Sequence, residues 1–293
     1  MPRLLVVGDV IDDVLVRPVG PVRTDTDTVA RIERRPGGSA ANVAAWLGVL
    51  GATVEFVGTV AHEDVSRHTA LLEGVGVRTH LIGSSTPTGT IVLLIEGEVR
   101  TMLTERGANV ETVPSSLLPE LVDAATHLHL TGYSLFRTDE APWRTLLESL
   151  TARGATVSVD PSSASFLADY GPARFLSATS GAAVILPNLE EGRLLTGASE
   201  PRDVADALLE HYPIVALTLG PDGALVATPD GSTLVPAVRP VPALVDPTGA
   251  GDSFAAAFLS EWTRDGDPVG AARTAVEVAA RAVSAVGARP SSP

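Results

Sequence analysis

The sequence predicts an α/β fold: a mostly parallel sheet covered by helices on both faces, with a small β-sheet set apart from it. After Asn109, short apolar strand patterns alternate with helical patterns, as parallel strands joined by crossover helices require. The 293 residues are 45% apolar, enough for a large core. Two earlier stretches, about 14–35 and 88–104, mix Thr, Val and Ile with charges, as half-exposed strands do, and form the small sheet, a lid. Residues 1–293 show no repeat or linker and are expected to form one domain with this lid inserted.

Arg3–Gly8 is an apolar run closed by glycine, a buried first strand. Ser39–Leu50 follows Gly37-Gly38, with Val43, Leu47 and Leu50 at helical spacing. Val54–Val57 is strand-like, and His62–Gly74 is a helix stopped by glycine. Gly89–Ile95 and Val99–Thr104 pair across Glu96-Gly97-Glu98. Strands His127–Leu130, Thr156–Asp160, Ala183–Leu186 and Ile214–Leu219 then alternate with helices Glu140–Arg153, Glu190–Thr196 and Arg202–Glu210. Pro221-Asp222-Gly223 is a turn before a hairpin of Ala224–Thr228 with Ser232–Pro236. Helices Ala250–Arg264 and Val269–Val286 finish the chain, and the tail Arg289–Pro293 is expected to fray.

Composition removes several functions. A formal charge of −14 argues against nucleic acid or an anionic membrane as partner. All 21 basic residues are arginine, so the lysines of a P-loop, a protein-kinase site and a Schiff base are missing. Any phosphate must be held by backbone N–H groups, arginine or a metal ion. Without cysteine there are no disulfides or thiolate sites. The start Met1–Val10 is broken by Asp9 and is a strand rather than a signal peptide, and no apolar run approaches the ~20 residues of a membrane span. A cytoplasmic protein is expected.

The chemistry-bearing segments each have two readings. In Val245–Leu259, glycines Gly249 and Gly251 flank Ala250, and Asp252 follows at the start of a helix. Free N–H groups and the helix dipole suit phosphate there, and an adjacent carboxylate can deprotonate an attacking hydroxyl. A glycine turn capped by an acid has the same pattern. Gly37-Gly38-Ser39 before a helix allows close backbone approach, with Asn42 one turn in to bind a polyol, or is only a turn and N-cap. Asp9, Asp12 and Asp13 can grip sugar hydroxyls or be solvated loop acids; period-two alternation puts Asp9 and Asp13 on one side. Asn188 and Glu191 suit Mg²⁺ held through water, or a capping box, which the spacing favours by itself. His127 and His129 lack a third ligand for a metal. Because ligands of a parallel sheet bind at its strands' carboxyl ends, Asp13, Gly37-Gly38, Asn188 and Asp252 are expected to converge.

Taken together and in this order, the segments resemble the ribokinase family of carbohydrate and nucleoside kinases, the PfkB family. The likeness runs from Leu4 to about Pro290. Its two signatures look like Gly37–Gly51 (Gly-Gly-Ser-Ala-Ala-Asn-Val-Ala-Ala-Trp-Leu-Gly-Val-Leu-Gly) and Asp246–Phe254 (Asp-Pro-Thr-Gly-Ala-Gly-Asp-Ser-Phe). The resemblance implies a three-layer αβα sandwich and an ATP-dependent carbohydrate kinase acting on a primary hydroxyl of a small sugar. It implies that Asp252 is the catalytic base and that Gly249, Ala250, Gly251 and Asp252 form the anion hole. Asn188 and Glu191 would organise Mg²⁺ and the ATP phosphates, and Thr218, Gly220 and Gly223 would lie on the nucleotide-side loop. Asp13, Gly37, Gly38 and Asn42 would bind the sugar. Asp246 would stand beside a monovalent cation such as K⁺, and the lid would make a homodimer contact. Two departures stand out. Ser162 and Ser163 follow Asp160-Pro161 where many sugar-acid and phosphosugar kinases have Asp-x-Asn-x-Arg, which counts against those acceptors. Val276 and Glu277 stand where Asn or His often approaches adenine. A nucleoside kinase and a catalytically silent sugar- or nucleotide-binding sensor are the alternative readings.

Overall fold

Alternation along β1 (Arg3–Val7) organises the molecule: Leu4 and Val6 point into one apolar core, Leu5 and Val7 into another. A strand buried on both faces needs helices on both faces. The computed structural model describes residues 2–96, 99–136, 139–239, 246–285 and 287–290. After β1 come β2 (Ile11–Pro18), β3 (Ala30–Gly37), α1 (Ser39–Val49), β4 (Thr53–Ala61), α2 (Val65–Glu73), β5 (Arg78–Ser84), β6 (Gly89–Glu96) and β7 (Val99–Glu105). The second half carries α3 (Pro119–Ala124), β8 (His127–Thr131), α4 (Gly132–Leu135), α5 (Glu140–Ala152), β9 (Thr156–Asp160), α6 (Ala164–Tyr170) and α7 (Pro172–Ala178). It continues through β10 (Val184–Ile185), α8 (Leu189–Thr196), α9 (Pro201–Leu208), β11 (Ile214–Thr218), β12 (Ala224–Thr228), β13 (Gly231–Val235), α10 (Ala250–Asp265) and α11 (Pro268–Ala282).

The main sheet runs β13-β12-β11-β10-β9-β8-β1-β4-β5, parallel from β11 to β5 and antiparallel in the β11–β12–β13 meander. Helices α1, α10 and α11 cover one face through residues such as Leu47, Phe258 and Ala275. The other face packs Trp143 and Leu147 of α5, Phe175 of α7 and Leu208 of α9 against Leu128, Leu130 and Val159. A second sheet, β3-β2-β6-β7, stands apart as expected. No helix of the described residues is long and apolar enough to cross a membrane.

The structure corrects several boundaries. The strands expected over about 14–35 are β2, which begins earlier at Ile11 and ends at Pro18, and β3, which runs from Ala30 to Gly37. Asp12 and Asp13 are therefore strand residues paired with Pro36 and Arg35, not loop acids. The strand expected over Val54–Val57 extends to Ala61. The edge strand β5 and helices α6 and α7 carry no clear period in sequence and were not expected. α11 stops at Ala282 rather than Val286, which lies outside the described residues, as do Gly97 and Glu98 of the hairpin turn. His127 and His129 are core residues: His127 bonds the hydroxyls of Thr156 and Ser158, and His129 bonds Ser158, each at 2.8 Å. Burial pushes both imidazoles down to about 3, so they are neutral.

Candidate active site

The carboxyl ends of the central strands and the starts of three helices meet around a cavity of ≈ 200 Å³. Its wall includes Asn188, Glu191, Thr218, Gly249, Ala250, Gly251 and Asp252, seven of the residues singled out from sequence.

Gly249, at φ 78°, turns the chain into α10. A Cβ there would lie 2.6 Å from Ala288 Cα, so glycine is required by close approach as well as by conformation. Ala250 N–H bonds Pro247 O at 3.2 Å, while Gly251 and Asp252 N–H take no backbone acceptor among the described residues. These donors, at the positive end of a sixteen-residue helix, make a corner whose chemistry suits an anion.

Asp252 is gripped from α1. Ser39 Oγ donates to Asp252 Oδ1 at 2.7 Å, and Asn42 Nδ2 donates to Oδ2 at 2.8 Å. Burial nevertheless raises the Asp252 carboxyl to about 6, with the nearby Asp9 charge adding to it and the two hydrogen bonds opposing. A carboxylate held near neutrality is suited to taking a proton.

Both carboxylate oxygens of Asp9 are engaged within the fold. Its carboxylate accepts from Ser39 N at 2.7 Å and Ala40 N at 3.1 Å, capping α1 from a distance, and from Thr131 Oγ1 at 3.2 Å. Gly38 turns the chain into that helix at φ 94°, and a Cβ would lie 2.5 Å from Asp9 O. Asp12 is held by Arg67 at 2.9 and 2.6 Å. Asp13 lies against Gly37, where any Cβ would collide with its carboxylate. Burial raises Asp13 to about 7; Arg289 opposes this, whereas Asp252, Asp9 and Asp12 add to it.

Asn188 and Glu191 form a complete capping box. Asn188 Oδ1 accepts from Glu191 N, and Glu191 Oε2 accepts from Asn188 N, each at 2.9 Å. Both also line the cavity, where burial raises Glu191 to about 7. Asp160 joins them; burial, then the Glu191 and Asp252 charges, push its carboxyl well above 3.8. Among the described residues no cluster of three or more metal-binding side chains exists. The three acids nonetheless raise the need for positive charge in the cavity, which fits a divalent ion carried mainly by phosphate and water.

Thr218 reaches the cavity, but Gly220 and Gly223 do not line it. Gly220 faces open space, whereas Gly223, at φ 102°, is pressed against the Val235 and Ala237 backbone and has a packing role. Asp246 lies behind the turn. Its Oδ1 accepts from Thr248 N at 3.0 Å and Thr248 Oγ1 at 2.6 Å, and its Oδ2 accepts from Gly287 N at 3.1 Å. Burial pushes the Asp246 carboxyl up, but these hydrogen bonds and the Arg100 charge outweigh it, leaving it below 3.8.

Sequence reasoning missed Arg289. The tail expected to fray instead brings its guanidinium to Asn42 Oδ1 at 3.1 Å and Gly37 O at 2.6 Å. Nη1 is buried without a hydrogen-bond partner among the described residues. The signal was present: an arginine directly after Gly287-Ala288, in a chain whose only strong cations are arginines. Ser291–Pro293 lie outside the described residues.

The sequence pattern of the pfkB family carbohydrate kinases matches residues 1–293. The chain is 33% identical over 282 residues to the ATP-dependent ribose-1-phosphate kinase of Halopiger xanaduensis, covering 91% of this chain and 87% of that protein. It is 27% identical over 303 residues to the bifunctional protein HldE of Shewanella denitrificans, spanning 97% of its own length but 59% of the relative's. In structure it resembles ribokinase from Thermotoga maritima with a TM-score of 0.82, covering 98% of this chain and 95% of that one at 22% identity.

Arg289→Ala is expected to lower stability by about 1–3 kcal/mol in urea denaturation at neutral pH, because Asn42 Oδ1 and Gly37 O lose a charged donor. A frayed tail would give a change under about 0.5 kcal/mol.

Proposed function

Because the chain belongs to the pfkB family of carbohydrate kinases, we propose that it transfers the γ-phosphoryl group of ATP to a primary hydroxyl of a small sugar. The observation that carries this reading is the pairing of Asp252 with unpaired N–H groups at one helix start, both facing the cavity.

The acceptor hydroxyl approaches Asp252, whose two oxygens are aimed by Ser39 and Asn42. Asp252 takes the hydroxyl proton as the oxygen attacks γ-phosphorus and the bond to ADP breaks. The N–H groups of Gly251 and Asp252 hold the equatorial oxygens as charge redistributes. Mg²⁺, when bound, neutralises the phosphates; Glu191 and Asp160 would hold it through water, with Asn188 keeping Glu191 in place. Thr218 would meet the nucleotide on the far side. Asp13 and Arg289 form the acceptor side, with Gly37, Gly38 and Asn42 shaping it. The second sheet is the lid that brings Asp13 and excludes water. Its exposed Ile32, Val99, Met102 and Leu103 support a homodimer contact. ATP as co-substrate favours the cytoplasm.

Ribose 1-phosphate, the substrate in the name of the relative at 33% identity, has a single primary hydroxyl and is the first acceptor to test. Ser162 and Ser163, following Asp160-Pro161, count instead for an acceptor without phosphate. ADP release with Mg²⁺, ATP and a panel of ribose, ribose 1-phosphate, hexoses and nucleosides decides among them. A pentose or its 1-phosphate is expected to give the highest kcat/KM. Turnover confined to nucleosides would replace the sugar reading, and ligand binding without ADP release would make the protein a sensor.

Asp252→Asn is expected to retain ATP affinity while kcat falls by about 10²–10⁴-fold. Near-normal turnover would remove Asp252 as base.

Only the ionised carboxylates can accept the proton or grip the sugar, and burial holds Asp252 at about 6 and Asp13 at about 7. The kcat/KM profile should therefore be flat above about pH 7 and fall as pH drops through 7 to 6. An acid limb near the ordinary aspartate value of 3.8 would contradict the assignment.

A further inference from the structure

Asp246 precedes the turn into the anion-binding corner, and its carboxylate is already surrounded. Thr248 N and Oγ1 and Gly287 N take three of its lone-pair directions. The guanidinium of Arg100 approaches as well, with Nη2 at 3.2 Å from Asp246 Oδ1 and Nη1 donating to Thr248 Oγ1 at 3.0 Å. Thr248 Oγ1 thus donates to the acid and accepts from the arginine. Arg100 lies on β7, the outer strand of the second sheet, opposite Ile95 of β6. Its side chain is 29% exposed and that of Asp246 10%, so solvent screens the pair only partly.

This donor set does not fit a monovalent cation beside Asp246. K⁺ needs converging oxygen lone pairs, whereas this carboxylate already faces N–H and O–H donors and a fixed positive charge. We propose that Arg100 supplies from within the chain the positive charge that the family resemblance assigns to K⁺ at Asp246, fixing the Thr248–Gly249 turn so that nucleotide binding needs no monovalent cation. The proposal rests on Gly249–Asp252 being the anion hole. It also makes one side chain of the lid sheet responsible for the shape of the phosphate site.

Calorimetric titration of ATP with Mg²⁺, in tetramethylammonium chloride and in KCl at equal ionic strength, tests this. The wild-type Kd is expected to agree within about twofold between the two salts. Arg100→Gln, its fold checked by thermal melting, is expected to bind ATP about tenfold more weakly without K⁺, and KCl should restore most of that loss. Arg100→Lys, which keeps the charge, should need no K⁺.

Wild-type affinity improved more than about threefold by K⁺ would overturn the proposal. So would Arg100→Gln binding like wild type without K⁺, a loss that K⁺ does not repair, or Arg100→Lys depending on K⁺ as the Gln variant does. Wild type that binds no ATP in either salt would instead defeat the kinase reading itself.

Discussion

The site depends on a carboxylate taken out of water and held by another helix's first turn. Asp252 opens α10, and Ser39 and Asn42, which grip it, open α1. Neither helix start is self-sufficient. α1 borrows its cap from Asp9 at the end of β1, and α10 relies on Gly249 to bring its N–H groups to the surface. Two helix dipoles therefore converge on the same few ångströms, and the acid between them neutralises part of what they impose. The sheet makes this possible by delivering the carboxyl ends of its parallel strands to one edge.

Around that centre the charges are arranged sparingly. Asp13, Asp160, Glu191 and Asp252 all have raised carboxyls, each through burial first and then through at least one other acid. Such crowding is unfavourable in the free protein and is relieved when a cation or a proton-bearing substrate arrives. Arg289 offsets part of it at Asp13 and Asp252, and Arg100 sets a second guanidinium against Asp246. Arg289 enters from beyond α11 toward Asn42 and Gly37, and Arg100 enters from β7 toward Asp246 and Thr248. A lysine-free sequence leaves the guanidinium fork to do both tasks, and each fork spans two partners at once.

Much of this was legible in the sequence. Both glycine signatures, Asn42 and Asp252 were recognisable because close backbone approach admits few residue types. The alternation of β8 to β11 with their helices was readable because buried parallel strands are continuously apolar. What failed has physical reasons. β5 is an edge strand in which Arg78 is exposed, five residues are half-buried and only Ser84 is buried, so no period marks it. Asp12 and Asp13 looked like loop acids because nothing local announces that β2 starts at Ile11. Arg100 was invisible as a site residue because its partners lie far off in sequence, and Arg289 carried only the weak signal of following Gly287-Ala288. Gly223 carried a motif's promise and turned out to serve packing.

The reach of Arg289 back to Gly37 and Asn42 joins positions separated by 252 and 247 residues. A nascent chain emerging from the ribosome can complete β1, α1 and most of the sheet while this contact is still impossible. The clasp between Arg289 and the Gly37–Asn42 segment thus forms late, after the strands it closes over. Fragments released early would carry both glycine signatures and a folded sheet, yet lack the clasp that unites them.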